Sequence, residues 1–122
     1  MFAAASRVPA LMQEFERGVI ARYSPCEIAD GPALVRALAE THAELVLIHP
    51  FREGNGRVAR HFTNLMIWQA GRLPIDFEPI VAERKLEYFA AIQAALGRDY
   101  TPLQDLFAGL IALSGTRELP SR

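Results

Sequence analysis

Apolar residues recur along this chain at intervals of three and four, and no stretch alternates strictly for long enough to suggest a sheet. The register is clearest in ALVRALAETHAELVLIHP, where Leu34, Leu38, Leu45 and Ile48 share a face and alanines fill the tight positions. Pro50 lacks a backbone N–H and restricts the residue before it, so this helix is predicted to end about His49. Upstream, VPALMQEFERGVIARY reads as one helix with Pro9 near its first turn. Leu11, Phe15, Val19 and Arg22 stack along it, with Arg22 able to reach past the apolar stripe. SPCEIADGP supplies loop chemistry between the two. A further helix is predicted from Asn55 through GRVARHFTNLMIWQAG, with Val58, Phe62, Leu65, Met66 and Trp68 facing inward and Gly71 as C-cap. RLPIDF reads as an extended connector, and AERKLEYFAAIQAAL as an amphipathic helix ending at Gly97. Thr101 is placed as N-cap of the last helix, with Pro102 at its first position. The expected fold is all-α: a compact bundle of five to six helices, one domain over 1–122, with a flexible tail from about 115.

A chain of 122 residues can bury roughly two-thirds of its unfolded surface. With 51% hydrophobic and 22% charged residues it has the balance of an ordinary globular protein. A formal net charge of −1 provides no basic footprint, so nucleic acid is not an expected partner, although a local basic pocket remains open. Cys26 is the only cysteine, which excludes an intrachain disulfide and a cysteine-rich zinc site. It reads as a small semi-buried hydrophobe beside a loop. No apolar run approaches the roughly 18 residues of a membrane span. MFAAASRVPALMQEF lacks the basic start and sustained apolar core of a signal peptide, so no membrane partner and a cytoplasmic setting are expected.

One stretch stands apart: LVLIHPFREGNGRVARHF, residues 45–62. Its EGNG turn lies between a helix that has ended and one about to begin. The first turn of a helix has unpaired N–H groups and about half a positive charge, which makes it an anion site. Gly54 and Gly56 let a phosphate approach the backbone, and Asn55 can cap the helix or turn its amide to a phosphate oxygen. Arg57 and Arg60 are three residues apart and share a face; two planar guanidiniums suit a polyphosphate. Glu53 would repel that phosphate unless a cation lay between them, and magnesium binds in this way, through one or two carboxylates plus substrate phosphates. His49 can accept a proton from an incoming hydroxyl at neutral pH. Singly, each of these residues has a bland reading: a turn, a solvated face, a helix cap. Together within twelve residues they read as base, metal ligand, phosphate cradle and charge clamp, the set that phosphoryl-type transfer requires.

HPFREGNGR continuing to VAR resembles the Fic family signature, H-x-F-x-(D/E)-G-N-G-R-x-x-R, at all eight specified positions. The similarity runs from about Phe2 to about Leu113 and includes VPALMQEF and KLEYFAAIQ. What the resemblance implies is an all-α Fic core, a protein adenylyltransferase that moves AMP from ATP to a Ser, Thr or Tyr hydroxyl of a target protein and releases pyrophosphate. On that analogy His49 is the general base and Phe51 a buried anchor for the loop. Glu53 holds magnesium; Gly54, Asn55 and Gly56 form the anion cradle, and Arg57 and Arg60 bind the distal phosphates. The related Doc branch carries lysine at the position of Gly56 and phosphorylates, so a bare glycine favours nucleotidyl transfer. Transfer of UMP, GMP or phosphocholine on the same scaffold, and a non-catalytic nucleotide-binding or toxin–antitoxin module, are the alternatives.

Two departures from the family pattern are expected. The β-hairpin flap that aligns the target segment would precede the point where this chain begins. The inhibitory pattern (S/T)-x-x-x-E-(G/N) is matched by Ser114 and Glu118, but Leu119 breaks it, which leaves restraint by a separate small antitoxin as the alternative. Outside the motif, His42 is expected to be a hydrogen-bonded helix histidine and His61 a surface or interhelical contact. Tyr88, Phe89 and Trp68 are expected to be packing residues, and none of these five is placed in the site.

Overall fold

The computed structural model describes residues 2–114, and in these the apolar periodicity becomes six α-helices with no strand among the described residues. Helix α1, Val8–Phe15, runs through a π turn at Glu16–Ile20 into the short α2, Ala21–Tyr23, so the single helix expected there carries an internal widening. Arg22 does reach across: its guanidinium meets the Glu40 carboxylate at 2.9 Å, and Tyr23 Oη donates to the same group at 2.9 Å.

Helix α3, Gly31–Ile48, is the central element and packs against α1, α4, α5 and α6. Its start is fixed by the Asp30 carboxylate, which accepts the Ala33 N–H at 2.9 Å, with Pro32 in the first turn. Ala37, Ala39 and Ala43 are fully buried, and their small side chains allow neighbouring helices to approach closely.

Helix α4, Asn55–Gln69, buries a different face from the one expected. Val58, Leu65 and Trp68 are exposed, Phe62 is half-buried, and of the predicted residues only Met66 is in the core. The inward stripe is Asn55, Ala59, Thr63, Met66 and Ile67, one residue out of register, a rotation of about 100°. Two polar residues can occupy that stripe because their hydrogen bonds are met inside the protein. Gly71, at φ 85°, follows the Ala70 C-cap in the left-handed conformation that ends helices.

The extended connector is anchored by Asn64, which accepts the Ile75 N–H at 2.8 Å and donates to its carbonyl at 3.1 Å. A π turn at Pro79–Glu83 follows, and a break at Arg84 delays α5 to Lys85–Leu96, so the predicted start at Ala82 is too early. The helix ends at Gly97 as expected. Thr101 is the first residue of α6, Thr101–Ser114, and not its cap; the Asp99 carboxylate accepts the Thr101 N–H at 3.1 Å and supplies the capping oxygen.

Leu34, Leu38, Ile67, Ile80, Ile92, Leu103 and Phe107 form the centre of the core. Cys26 is wholly buried, more so than expected, and burial pushes its thiol pKa up, away from reactive thiolate. No helix among the described residues is long and apolar enough to cross a membrane. Glu118 and the rest of the tail from 115 lie outside the described residues.

Candidate active site

Pro50 stops α3, and the chain leaves through His49 in a left-handed conformation, φ 54° and ψ 58°, with its N–H donated to the Leu45 carbonyl at 3.2 Å. For a residue with a Cβ that geometry costs about 1–2 kcal/mol, a strain the surrounding contacts must hold. Phe2 stacks on the imidazole with ring centroids 4.0 Å apart and planes 18° from parallel. The Phe2 segment is tied down by an Ala3 N–H bond to the Leu47 carbonyl at 3.1 Å. His49 Nδ1 is buried with no hydrogen-bond partner among the described residues.

The loop between the helices is held by Asn55. Its Oδ1 accepts the Phe51 N–H at 2.8 Å and its Nδ2 donates to the Phe51 carbonyl at 2.7 Å. The carbonyl and one amide N–H of Asn55 are therefore spent on the loop, and the expectation that this side chain caps the helix is corrected. Phe51 is corrected too: the residue is 49% exposed, and its backbone is the anchor. Gly54 takes the N-cap position at φ 78° without a side-chain cap. The first intrahelical donor is the Val58 N–H, to the Gly54 carbonyl at 2.9 Å, so the N–H groups of Asn55, Gly56 and Arg57 lie ahead of the ladder at the positive end of α4.

The two guanidiniums fold back over this helix start. A Cβ at Gly54 would stand 3.0 Å from Arg57 Nη2, and one at Gly56 would stand 3.0 Å from Arg60 Nη1. Gly54→Ala should therefore cost about 1–2 kcal/mol through its positive φ, read as a lower thermal midpoint, and should also displace Arg57.

Every residue predicted for the site lines one pocket of about 430 Å³: His49, Glu53, Gly54, Asn55, Gly56, Arg57 and Arg60, joined by Arg52. Among the described residues none of its arginines, nor Glu53, forms a salt bridge. Sequence reasoning missed Arg52, which occupies an unspecified position of the signature. It also missed Phe2, whose contact with His49 is made through folding and leaves no local signal. His42 is a buried, hydrogen-bonded histidine of α3, as expected, and His61 is exposed on α4. Tyr88 is buried, whereas Phe89 is 45% exposed with the Lys85 ammonium 5.7 Å from its ring centroid.

The family model described as Fic/DOC matches residues 1–67, a stretch that contains the whole motif and its supporting helix. The chain belongs to the Fic/DOC family. It is 37% identical over 70 residues to protein adenylyltransferase fic-1 of Caenorhabditis briggsae, across 56% of this chain and 13% of that protein. It is 35% identical over 92 residues to protein adenylyltransferase Fic of Drosophila ananassae, across 75% of this chain and 17% of that protein. Among solved structures it is similar to the BepC protein of Bartonella tribocorum, a VirB-translocated effector with bound AMPPNP. The TM-score is 0.73 at 24% identity, over 89% of this chain and 50% of that one, which shows the same all-α Fic fold. The chain thus spans less than a fifth of the length of these two curated relatives and half of the BepC chain.

Proposed function

We propose that this Fic domain is a protein adenylyltransferase that transfers AMP from ATP to a Ser, Thr or Tyr hydroxyl of a target protein, with release of pyrophosphate. The observation that carries the reading is convergence: an imidazole at the end of α3 and guanidiniums at the start of α4 line the same pocket, against backbone N–H groups with no helical partner. In the proposed step His49 takes the proton of the target hydroxyl, whose oxygen bonds to the α-phosphorus. The bond from that phosphorus to the bridging oxygen breaks, and the electron pair leaves with pyrophosphate. Arg57, Arg60 and the first N–H groups of α4 stabilise the phosphate charge, and the missing side chain at Gly56 leaves room for the Arg60 guanidinium, which a Cβ there would meet at 3.0 Å.

Glu53 fits a magnesium ion that arrives with the nucleotide: its carboxylate is exposed, lines the pocket and has no ion pair among the described residues. No group of three or more metal-ligating side chains occurs among the described residues, so a bound ion would rely on phosphate and water for its other ligands. Its chemistry when bound is charge neutralisation between the phosphates. The proposed setting is the cytoplasm, with ATP as co-substrate and a small antitoxin protein as the restraining partner.

The test is intact mass spectrometry and labelled-ATP transfer with a cell lysate, with and without magnesium. The expected result is a magnesium-dependent mass gain of one AMP on the protein itself or on a lysate protein. A phosphoryl gain, or ATP binding without any transfer, overturns the reading. Arg60→Ala should weaken ATP about tenfold or more while leaving AMP affinity unchanged, as measured by calorimetry. Equal losses would contradict the distal-phosphate role.

A further inference from the structure

A chain of buried hydrogen bonds runs beneath the site and plays no part in the proposed step. His42 is 1% exposed on α3, Thr63 is 1% exposed on α4, and Tyr88 is buried on α5. His42 Nδ1 lies 3.0 Å from Thr63 Oγ1, and His42 Nε2 lies 2.6 Å from Tyr88 Oη. Thr63 Oγ1 also lies 2.9 Å from the Ala59 carbonyl, one turn back on α4. A carbonyl can only accept, so the single hydroxyl proton of Thr63 goes to Ala59. Thr63 must then accept from His42, which places the proton on Nδ1, and Nε2 accepts from the Tyr88 hydroxyl. The direction of all three bonds follows from that one constraint.

The imidazole is a neutral, fixed link in this chain. Burial holds its pKa down to about 3, the Arg60 charge pushes it the same way, and burial raises the Tyr88 phenol to about 12. Phe107 and Tyr88 meet the ring edge-on and Phe77 stacks on it, so the ring has a defined orientation. The chain ends at the Ala59 carbonyl, which belongs to the same peptide group as the Arg60 nitrogen. It begins at Tyr88 on α5 and passes through His42 on α3, seven residues before the C-cap His49. The base and the clamp are therefore carried by two helices that this polar link joins in the core.

We infer that His42, Thr63 and Tyr88 are positioning residues that set the rotation of α4 against α3, and so the placement of Arg60 over the phosphate cradle relative to His49. The role rests on the adenylyl-transfer reading only where nucleotide is concerned; the placement of Arg60 can be read without it.

Three variants and one control test the inference. Tyr88→Phe removes the donor to His42, Thr63→Val removes the shared hydroxyl, and Thr63→Ser keeps it; Ile92→Val trims the core of α5 away from the chain. The Arg60 Nε–H signal in 1H–15N NMR reports the guanidinium directly, and calorimetry gives the ratio of ATP to AMP affinity. Tyr88→Phe and Thr63→Val should move the Arg60 signal and weaken ATP about tenfold with AMP unchanged. Thr63→Ser should restore both readouts, and Ile92→Val should lower the thermal midpoint while moving neither. The inference is overturned if Tyr88→Phe and Thr63→Val lose stability but leave the Arg60 signal and the affinity ratio at wild-type values. Should the wild-type protein bind neither nucleotide, the functional reading fails, and the Arg60 signal alone decides: moved, it upholds the link, and unmoved, it overturns it.

Discussion

His49→Ala is expected to reduce AMP transfer by about 10²–10⁴-fold, the range that a positioned base contributes, with ATP affinity nearly unchanged. The two effects should separate because the proposed step assigns the attacking hydroxyl to the imidazole and the phosphates to Arg57, Arg60 and the start of α4, all of which line one pocket. Stability supplies an independent check on the same residue. Alanine loses the stack on Phe2 and keeps the left-handed strain at φ 54°, so it combines a lost contact with a retained cost. His49→Gly loses the same stack but relieves the strain, and it should melt higher than His49→Ala by about 1 kcal/mol of stability while being equally inactive. Side-by-side thermal melts and labelled-ATP assays of the two variants give both answers. Transfer that survives in both would remove His49 from the mechanism.

The motif was legible because its chemistry is local. A proline that ends one helix, a glycine-flanked turn and two arginines one turn apart are enough to gather His49, Arg57 and Arg60 around one pocket once both flanking helices form. The helices themselves followed from the apolar period, and the breaks at Pro50, Gly71 and Gly97 from backbone chemistry. Where the reading failed, long-range or polar burial was the cause. The face of α4 was misassigned because counting large apolar residues selects Val58 and Leu65, whereas α3 approaches closely enough to favour Ala59 and Thr63. Asn55 was read as a helix cap because its partner is a backbone that only the folded loop brings within 2.8 Å. The stack of Phe2 on His49 and the partners of His42 join distant segments, and a single sequence carries no signal for them.

Asn55→Asp is expected to cost more than any other near-isosteric change in the loop, although helix rules alone would favour it. An aspartate in the first turn of α4 would gain about 0.3–1 kcal/mol from the positive end of the helix. Against that, the amide Nδ2 that donates to the Phe51 carbonyl at 2.7 Å becomes an oxygen, so two acceptors face one another at a position only 5% exposed. An unmade bond of that kind at a buried carbonyl costs about 1–3 kcal/mol. The second term wins, and a net loss of about 1–2 kcal/mol is expected in denaturant titrations. Asn55→Ser shortens the side chain without adding charge and separates the two contributions: it should share the stability loss but not the electrostatic one. The new carboxylate would also line the pocket proposed to take phosphate, so ATP affinity should fall at least tenfold in Asn55→Asp, and more steeply at low salt, where the repulsion is unscreened. If Asn55→Asp proved as stable as the wild type and bound ATP equally well, the clasp on Phe51 could not be what holds the cradle in shape.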